Sequence, residues 1–209
     1  MNDSIRSNAQ CDALIAKKNL LAHPFYQAWS AGTLPVEALK TYAREYGAFI
    51  AGIGLGWERA GYSDIAKVED GHARVWERTF AQSLGTSVGE PETPEVCALI
   101  EVEGELFAER ATAIGALYAF EAQQPYTAQS KLKGLKEHYS QLPENTGIYF
   151  ELHENDFDEP AMLAQAIAAM SDDERAEAEA ACARMSSALY DALSGIYAPY
   201  AGDTACAMA

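Results

Sequence analysis

The chain is short of basic residues, cysteine, histidine, strand signals and long apolar runs, and each shortage removes a class of function. Its 209 residues carry 15 Lys plus Arg against 31 Asp plus Glu, a formal net charge of −16. A surface that acidic repels phosphate backbones and anionic lipid heads, so nucleic acid and membrane surfaces are excluded as partners. The four cysteines, Cys11, Cys97, Cys182 and Cys206, fit no zinc-ligand spacing. Nothing near the N-terminus reads as a secretory leader. The expectation is therefore reduced thiols in a cytoplasmic protein. The weakly polar run from Tyr46 to Trp57 is glycine-rich and too short to span a bilayer. No phosphate-binding loop, Walker motif or Gly-x-Ser-x-Gly elbow is present. The one Asp-Gly pair, Asp70-Gly71, lies inside a helical pattern and not between alternating apolar runs.

What is there is helical. Hydrophobic residues make up 49% and charged residues 22%, the balance of a globular protein, and no linker or repeat divides residues 1–209, so one domain is expected. The pattern predicts a helix over Ser7 to Leu21, a short one over Phe25 to Ala31, and a long one on which Leu39, Tyr42, Ala43, Tyr46, Phe49, Ile50 and Ile53 share a face. Gly47, Gly52, Gly54 and Gly56 weaken that helix and permit a bend or a close helix contact. A further helix over Ile65 to Leu84 stops at Gly85. Pro94 to Phe107 and Ala108 to Gln124 form two helices or one bent one. Pro125 breaks the segment, and another helix reaches Tyr139. Tyr149 to Asn155 is a short helix. Ser171 with Glu174 makes a capping box for a last helix from Asp172 to Tyr197, and the tail from Ala201 is expected to fray. The fold class is all-α.

Each of the four histidines can be weighed singly. His23, before Pro24, reads as a capping or packing residue, and His138, at the polar end of Lys131-Leu-Lys-Gly-Leu-Lys-Glu-His138, as solvated. Glu69 and His72 are three apart and share a helix face, the spacing of carboxylate-bridged di-iron bundles; an acidic chain also produces it by chance. His153 stands among Glu151, Asp156, Asp158 and Glu159, either a site or an acidic surface loop. Glu121 lies four past Leu117 on an apolar stripe, where a carboxylate must be ion-paired, protonated or metal-bound. Tyr42, Tyr46 and Phe49, and Trp76 and Phe80, read as core first and pocket lining second. The Tyr42 and Tyr46 hydroxyls need partners if buried. Cys97 and Cys182 carry no nucleophile signature and read as structural.

Longer stretches carry a resemblance. Leu20-Leu-Ala-His23-Pro24-Phe25-Tyr26-Gln-Ala-Trp29-Ser-Ala-Gly32, Ala116-Leu-Tyr-Ala-Phe-Glu121-Ala-Gln-Gln-Pro125, Gly147-Ile-Tyr149-Phe150-Glu-Leu-His153 and Ala188-Leu-Tyr-Asp-Ala-Leu are similar to the TenA, PqqC and CADD-like proteins. The likeness covers nearly the whole chain, and the Glu121 and His153 segments resemble the CADD-like branch of haem-oxygenase-like di-iron oxidases most. It implies a haem-oxygenase-like helical bundle around a central pocket, a homodimer, and a non-haem iron oxidase or oxygenase acting on a small molecule, in one branch para-aminobenzoate-forming. Members are implied to draw on a tyrosine of their own chain, and Tyr26 is the matching position. Tyr26, Tyr42 and Tyr46 are thus the candidate catalytic side chains. Of the implied iron ligands His72, Glu121 and His153 match. Ile65 stands where a Glu is implied, with Glu69 as substitute, and Phe157 and Pro160 stand where an Asp and a His are implied. The count leaves at most one tightly held metal, with Glu69, His72, Glu121, His153 and Asp156 as candidate ligands. Without metal, each histidine should donate to a carboxylate and its pKa should rise. The alternatives are a metal-free small-ligand-binding member, and a thiaminase-like or cofactorless oxidase.

Overall fold

Proline, glycine and capping residues set most of the helix ends in a computed structural model that describes residues 7–202. The helices are α1 (Ala9–Ile15), α2 (Pro24–Ser30), α3 (Val36–Ile50), α4 (Ile53–Ala60), α5 (Ser63–Val75), α6 (Pro94–Leu106), α7 (Arg110–Glu121), α8 (Gln124–His138), α9 (Ile148–His153), α10 (Asp158–Ala168) and α11 (Asp172–Tyr197). No strand occurs among the described residues. Pro24, Pro94 and Pro125 sit in the first turns of α2, α6 and α8, where a missing N–H removes no helical bond. Gly85 closes its helix at φ +69°, a conformation that glycine adopts without strain. The Ser171 hydroxyl accepts the Glu174 N–H, and the Glu174 carboxylate accepts the Ser171 N–H at 2.9 Å, so the capping box is formed.

Four expectations change. The first helix stops at Ile15 and continues as 3₁₀ turns. The glycine-rich helix is two helices, α3 and α4, parted at Ala51 and Gly52; a Cβ on Gly52 would lie 2.5 Å from the buried Glu103 carboxylate. The helix through Leu84 is α-helical only to Val75, then winds as a π-helix over Trp76–Ala81 and a 3₁₀ turn over Gln82–Leu84. α10 was not anticipated. Its buried Pro160, Leu163, Ala164 and Ile167 fall at helical spacing, but the acidic residues ahead of them mask the pattern. The tail from Ala201 lies mostly outside the described residues, and Ala201 and Gly202 are still helical.

The central element is α11, which packs against α7, α6, α3, α2, α1 and α10. Its closest approach is to α7, where a Cβ on Gly115 would overlap the Ala178 backbone carbonyl. α7 also packs against α4 and α10, and α4 in turn packs on α5. α9 bridges α5 and α8. The ends of α5, α7, α9 and α10 are thereby brought around one interior region.

Candidate metal centre and aromatic pocket

One turn of α5 puts Glu69 and His72 on the same face, and His72 Nδ1 lies 2.8 Å from Glu69 Oε1. The last residue of α9 adds His153, whose ring meets that of His72 edge-on with centroids 4.6 Å apart. Glu69, His72 and His153 each offer a ligand atom within 4.8 Å of the others. His153 is 1% exposed, and among the described residues neither ring nitrogen has a hydrogen-bond partner. Burial, then the neighbouring His72 and Lys131, bring its pKa down to about 3. Of the two imidazoles, His72 meets a carboxylate as expected, whereas His153 meets none and its pKa falls. A buried imidazole with both nitrogens unsatisfied is costly. Its neutral form is the one that ligates metals, and two imidazoles with carboxylate suit iron. The residues present fit such an ion.

Glu121, the last residue of α7, is buried and accepts a hydrogen bond from Trp57 Nε1 at 3.3 Å. Burial, then Glu159 and Glu69, hold its pKa well above the usual carboxylate range. Glu159 comes from the first turn of α10, and burial with Glu69 and Asp156 pushes its pKa up to about 8. The sequence places it only among the acids that follow His153, not among the candidate ligands, because its helix is not legible there. Asp156 is half-buried just ahead of α10, and burial raises its pKa. Phe157 is 41% exposed and packs on Tyr126, while Pro160 is buried; neither side chain can ligate.

Beyond His153 the interior is aromatic. The Tyr149 ring lies 4.6 Å from His153 and 4.9 Å from Trp76, and its hydroxyl accepts from Gln124 Nε2 at 3.1 Å. Tyr26 on α2 and Tyr42 and Tyr46 on α3 are buried, and burial raises all three phenol pKa values. Among the described residues the Tyr42 hydroxyl lacks a hydrogen-bond partner, and its ring stacks on Tyr46 at 4.9 Å. Against these rings stands Lys131 of α8, 3% exposed. Its Nζ lies 5.4 Å from the Tyr26 and Tyr42 ring centres and 4.9 Å from that of Phe150. Burial brings its pKa down from 10.5 to about 7. Among the described residues its Nζ joins no ion pair. Its surroundings in sequence, Lys131-Leu-Lys133-Gly-Leu-Lys136, read as solvated; the available signal was its place three past Ala128 and four before Leu135, on the buried stripe.

The other two histidines do structural work. His23 caps α2 by accepting the Phe25 N–H at 3.0 Å, and His138 is exposed with Nε2 donating to the Ser30 carbonyl at 3.1 Å. Cys182 is buried and Cys97 half-buried; Cys206 lies outside the described residues.

A family model described as iron-containing redox enzyme matches residues 28–191. The chain is 30% identical to a 4-aminobenzoate synthase of Chlamydia muridarum, across 69% of this chain and 70% of that one. It is 27% identical to a 4-aminobenzoate synthase of Nitrosomonas europaea, across 94% of this chain and 93% of that one. A crystal structure of a TenA homologue from Pseudomonas syringae superposes with a TM-score of 0.75 at 15% identity, covering 90% of each chain. That of a CADD-like protein of unknown function from Nostoc punctiforme superposes with a TM-score of 0.63 at 15% identity, covering 92% of this chain and 96% of the other. No helix of the described residues is long and apolar enough to cross a membrane.

Proposed function

This chain belongs to the iron-containing redox enzymes of haem-oxygenase-like fold, and from that premise we propose that it forms 4-aminobenzoate from its own Tyr26 at a non-haem iron centre. The observation that carries this is the buried His153, unpartnered among the described residues, beside Glu69 and His72, with Tyr26 and Lys131 packed among the neighbouring aromatic rings. The candidate iron ligands are Glu69, His72, His153 and Glu121. Iron held there would supply the activation of dioxygen.

The chain's own residues do the rest. The bundle buries Tyr26 and excludes water from it. Lys131, with its pKa near 7, presents a substantial free-base fraction at neutral pH, and a free amine is nucleophilic and can take a proton where an ammonium cannot. 4-Aminobenzoate contains one aromatic ring and one amino nitrogen, and the Lys131 nitrogen stands 5.4 Å from the Tyr26 ring centre. Tyr42 packs under the same amine and stacks on Tyr46, and Gln124 holds the Tyr149 hydroxyl beside His153.

Isotope labelling tests the proposal. Protein grown with ring-¹³C tyrosine and ¹⁵N lysine is loaded with Fe(II), given a chemical reductant and dioxygen, and its small-molecule fraction is weighed by mass spectrometry. Labelled 4-aminobenzoate without any added aromatic substrate is expected, in at most one equivalent per chain, and none from Tyr26→Phe. Absence of the compound from the iron-loaded, aerobic wild type would overturn the proposal. Product carrying ring label but no ¹⁵N would remove Lys131 from it.

A further inference from the structure

A cleft of about 290 Å³ opens between the C-terminal half of α8 and residues 140–151. The helix that carries Lys131 supplies its buried Leu132 and Leu135, and the half-buried Leu142 joins them from the following loop. Gly147 lets the two walls meet, since a Cβ there would lie 3.0 Å from Leu132 Cδ2. Tyr139 lines the same cleft. Its hydroxyl donates to the Leu34 carbonyl at 2.8 Å, and its ring lies edge-on to Trp29, which in turn lies edge-on to Tyr42. The cleft is thus two ring contacts away from the tyrosine cluster. Three exposed charges line it: Lys136 of α8, Glu144 of the loop and Glu151 of α9. Among the described residues none of the three joins an ion pair.

Each feature restricts the ligand. The volume is at the lower end of ordinary ligand clefts, roughly 300–1,000 Å³, which leaves room for one ring and excludes a dinucleotide. The leucines suit an apolar ring face. Against a net charge of −16, an exposed ammonium with no acidic partner is a local point of attraction for an anion. The two carboxylates accept hydrogen bonds and repel a second anion, so the other end of the ligand is an uncharged or cationic N–H donor. A single ring with a carboxylate at one end and an amino group at the other meets all of these conditions.

We propose that this cleft binds 4-aminobenzoate as a holding site for released product, its ring on Leu132, Leu135 and Leu142, its carboxylate at Lys136 and its amino group toward Glu144 and Glu151. The identity of the ligand rests on the function proposed above; its place rests on the cleft. The product of one chain can equally occupy the cleft of an unreacted one, which makes the site measurable apart from the reaction.

Metal-free, unreacted protein is titrated with 4-aminobenzoate by calorimetry at low salt, and one molecule per chain is expected. Benzoate and aniline, each lacking one end of the ligand, are expected to bind about tenfold more weakly or worse. Lys136→Glu is expected to weaken 4-aminobenzoate binding by at least about tenfold, and Lys136→Arg, which keeps the charge, to restore most of it. Lys133→Glu makes the same change of net charge one turn earlier on α8, outside the cleft, and is expected to stay within about twofold of the wild type. Circular dichroism checks that the variants fold. Absence of saturable binding in the wild type, or equal weakening by Lys136→Glu and Lys133→Glu, overturns the proposal. Iron-loaded wild type that yields labelled 4-aminobenzoate but does not bind it when metal-free would keep the functional reading and reject this one; a Lys136-dependent site in a chain that yields no product would do the reverse.

Discussion

Lys131→Met is expected to melt higher than the wild type at pH 6 while failing to form 4-aminobenzoate. The two effects share one cause. Burial lowers the Lys131 pKa from 10.5 to about 7, so the folded state disfavours the ammonium relative to the unfolded chain. Below pH 7 both states carry the proton and the penalty is present in full. Between pH 7 and about 10.5 the unfolded state binds a proton that the folded state does not, so stability rises with pH across that window and the penalty disappears above it. A shift of this size corresponds to roughly 5 kcal/mol, reduced by whatever the protonated amine gains over the faces of Tyr26, Tyr42 and Phe150. Methionine fills nearly the same volume and packs well against rings. At about 2–4 °C per kcal/mol, a rise in Tm of at least about 5 °C is expected at pH 6, shrinking to about 1–2 °C at pH 10. Calorimetry of both proteins across this range reads it directly. A variant that melts lower at every pH would show that Lys131 holds the core together instead of straining it.

Gly115→Ala should show a comparably large effect of opposite sign. A methyl group there would overlap the carbonyl of Ala178, and the obstacle is α11 backbone, not the end of a flexible side chain. Alanine favours a helix over glycine by about 1 kcal/mol. The expected net loss of about 2–3 kcal/mol therefore reports forced separation of α7 from α11. A fall in Tm of about 5–10 °C follows, with a lower urea midpoint. Glu121 lies six residues further along α7, so the metal content should fall as well. Gly104→Ala is the control. It lies in α6 with nothing near the added atom, and it should hold or raise Tm. Equal behaviour of the two variants would show that α7 and α11 have slack between them.

The sequence made legible what depends on neighbours along the chain. Ser171 with Glu174, Gly85 and the prolines located helix ends because caps act over one turn. Glu121 stood out because a carboxylate on an apolar stripe is anomalous in any fold. Glu69 with His72 required only helical spacing. Residues whose meaning comes from distant partners stayed hidden. Lys131 looks like its solvated neighbours Lys133 and Lys136, and only the rings contributed by α2, α3 and α9 make it a buried amine. Glu159 looks like Asp158 beside it, and only the packing of α10 on α7 turns one of them inward. Four glycines marked a possible bend in the helix after Pro35, but which of them breaks it was not legible, since the side chain that requires glycine at 52, Glu103, is about fifty residues away.

Tyr26 is also part of the hydrophobic core, at 2% exposed and edge-on to Phe25. A chain that gives up this ring performs its reaction once and is left with a hole where a support used to be. Loss of a buried aromatic side chain removes about 3–5 kcal/mol from a folded state that has only about 5–15 kcal/mol to lose. Used molecules would thus differ from fresh ones in durability, open more often and meet proteases sooner. The placement of the reagent inside the scaffold would set the lifespan of the protein as well as its yield. Limited proteolysis before and after product release would expose the difference, and equal resistance would mean that the vacated core closes over.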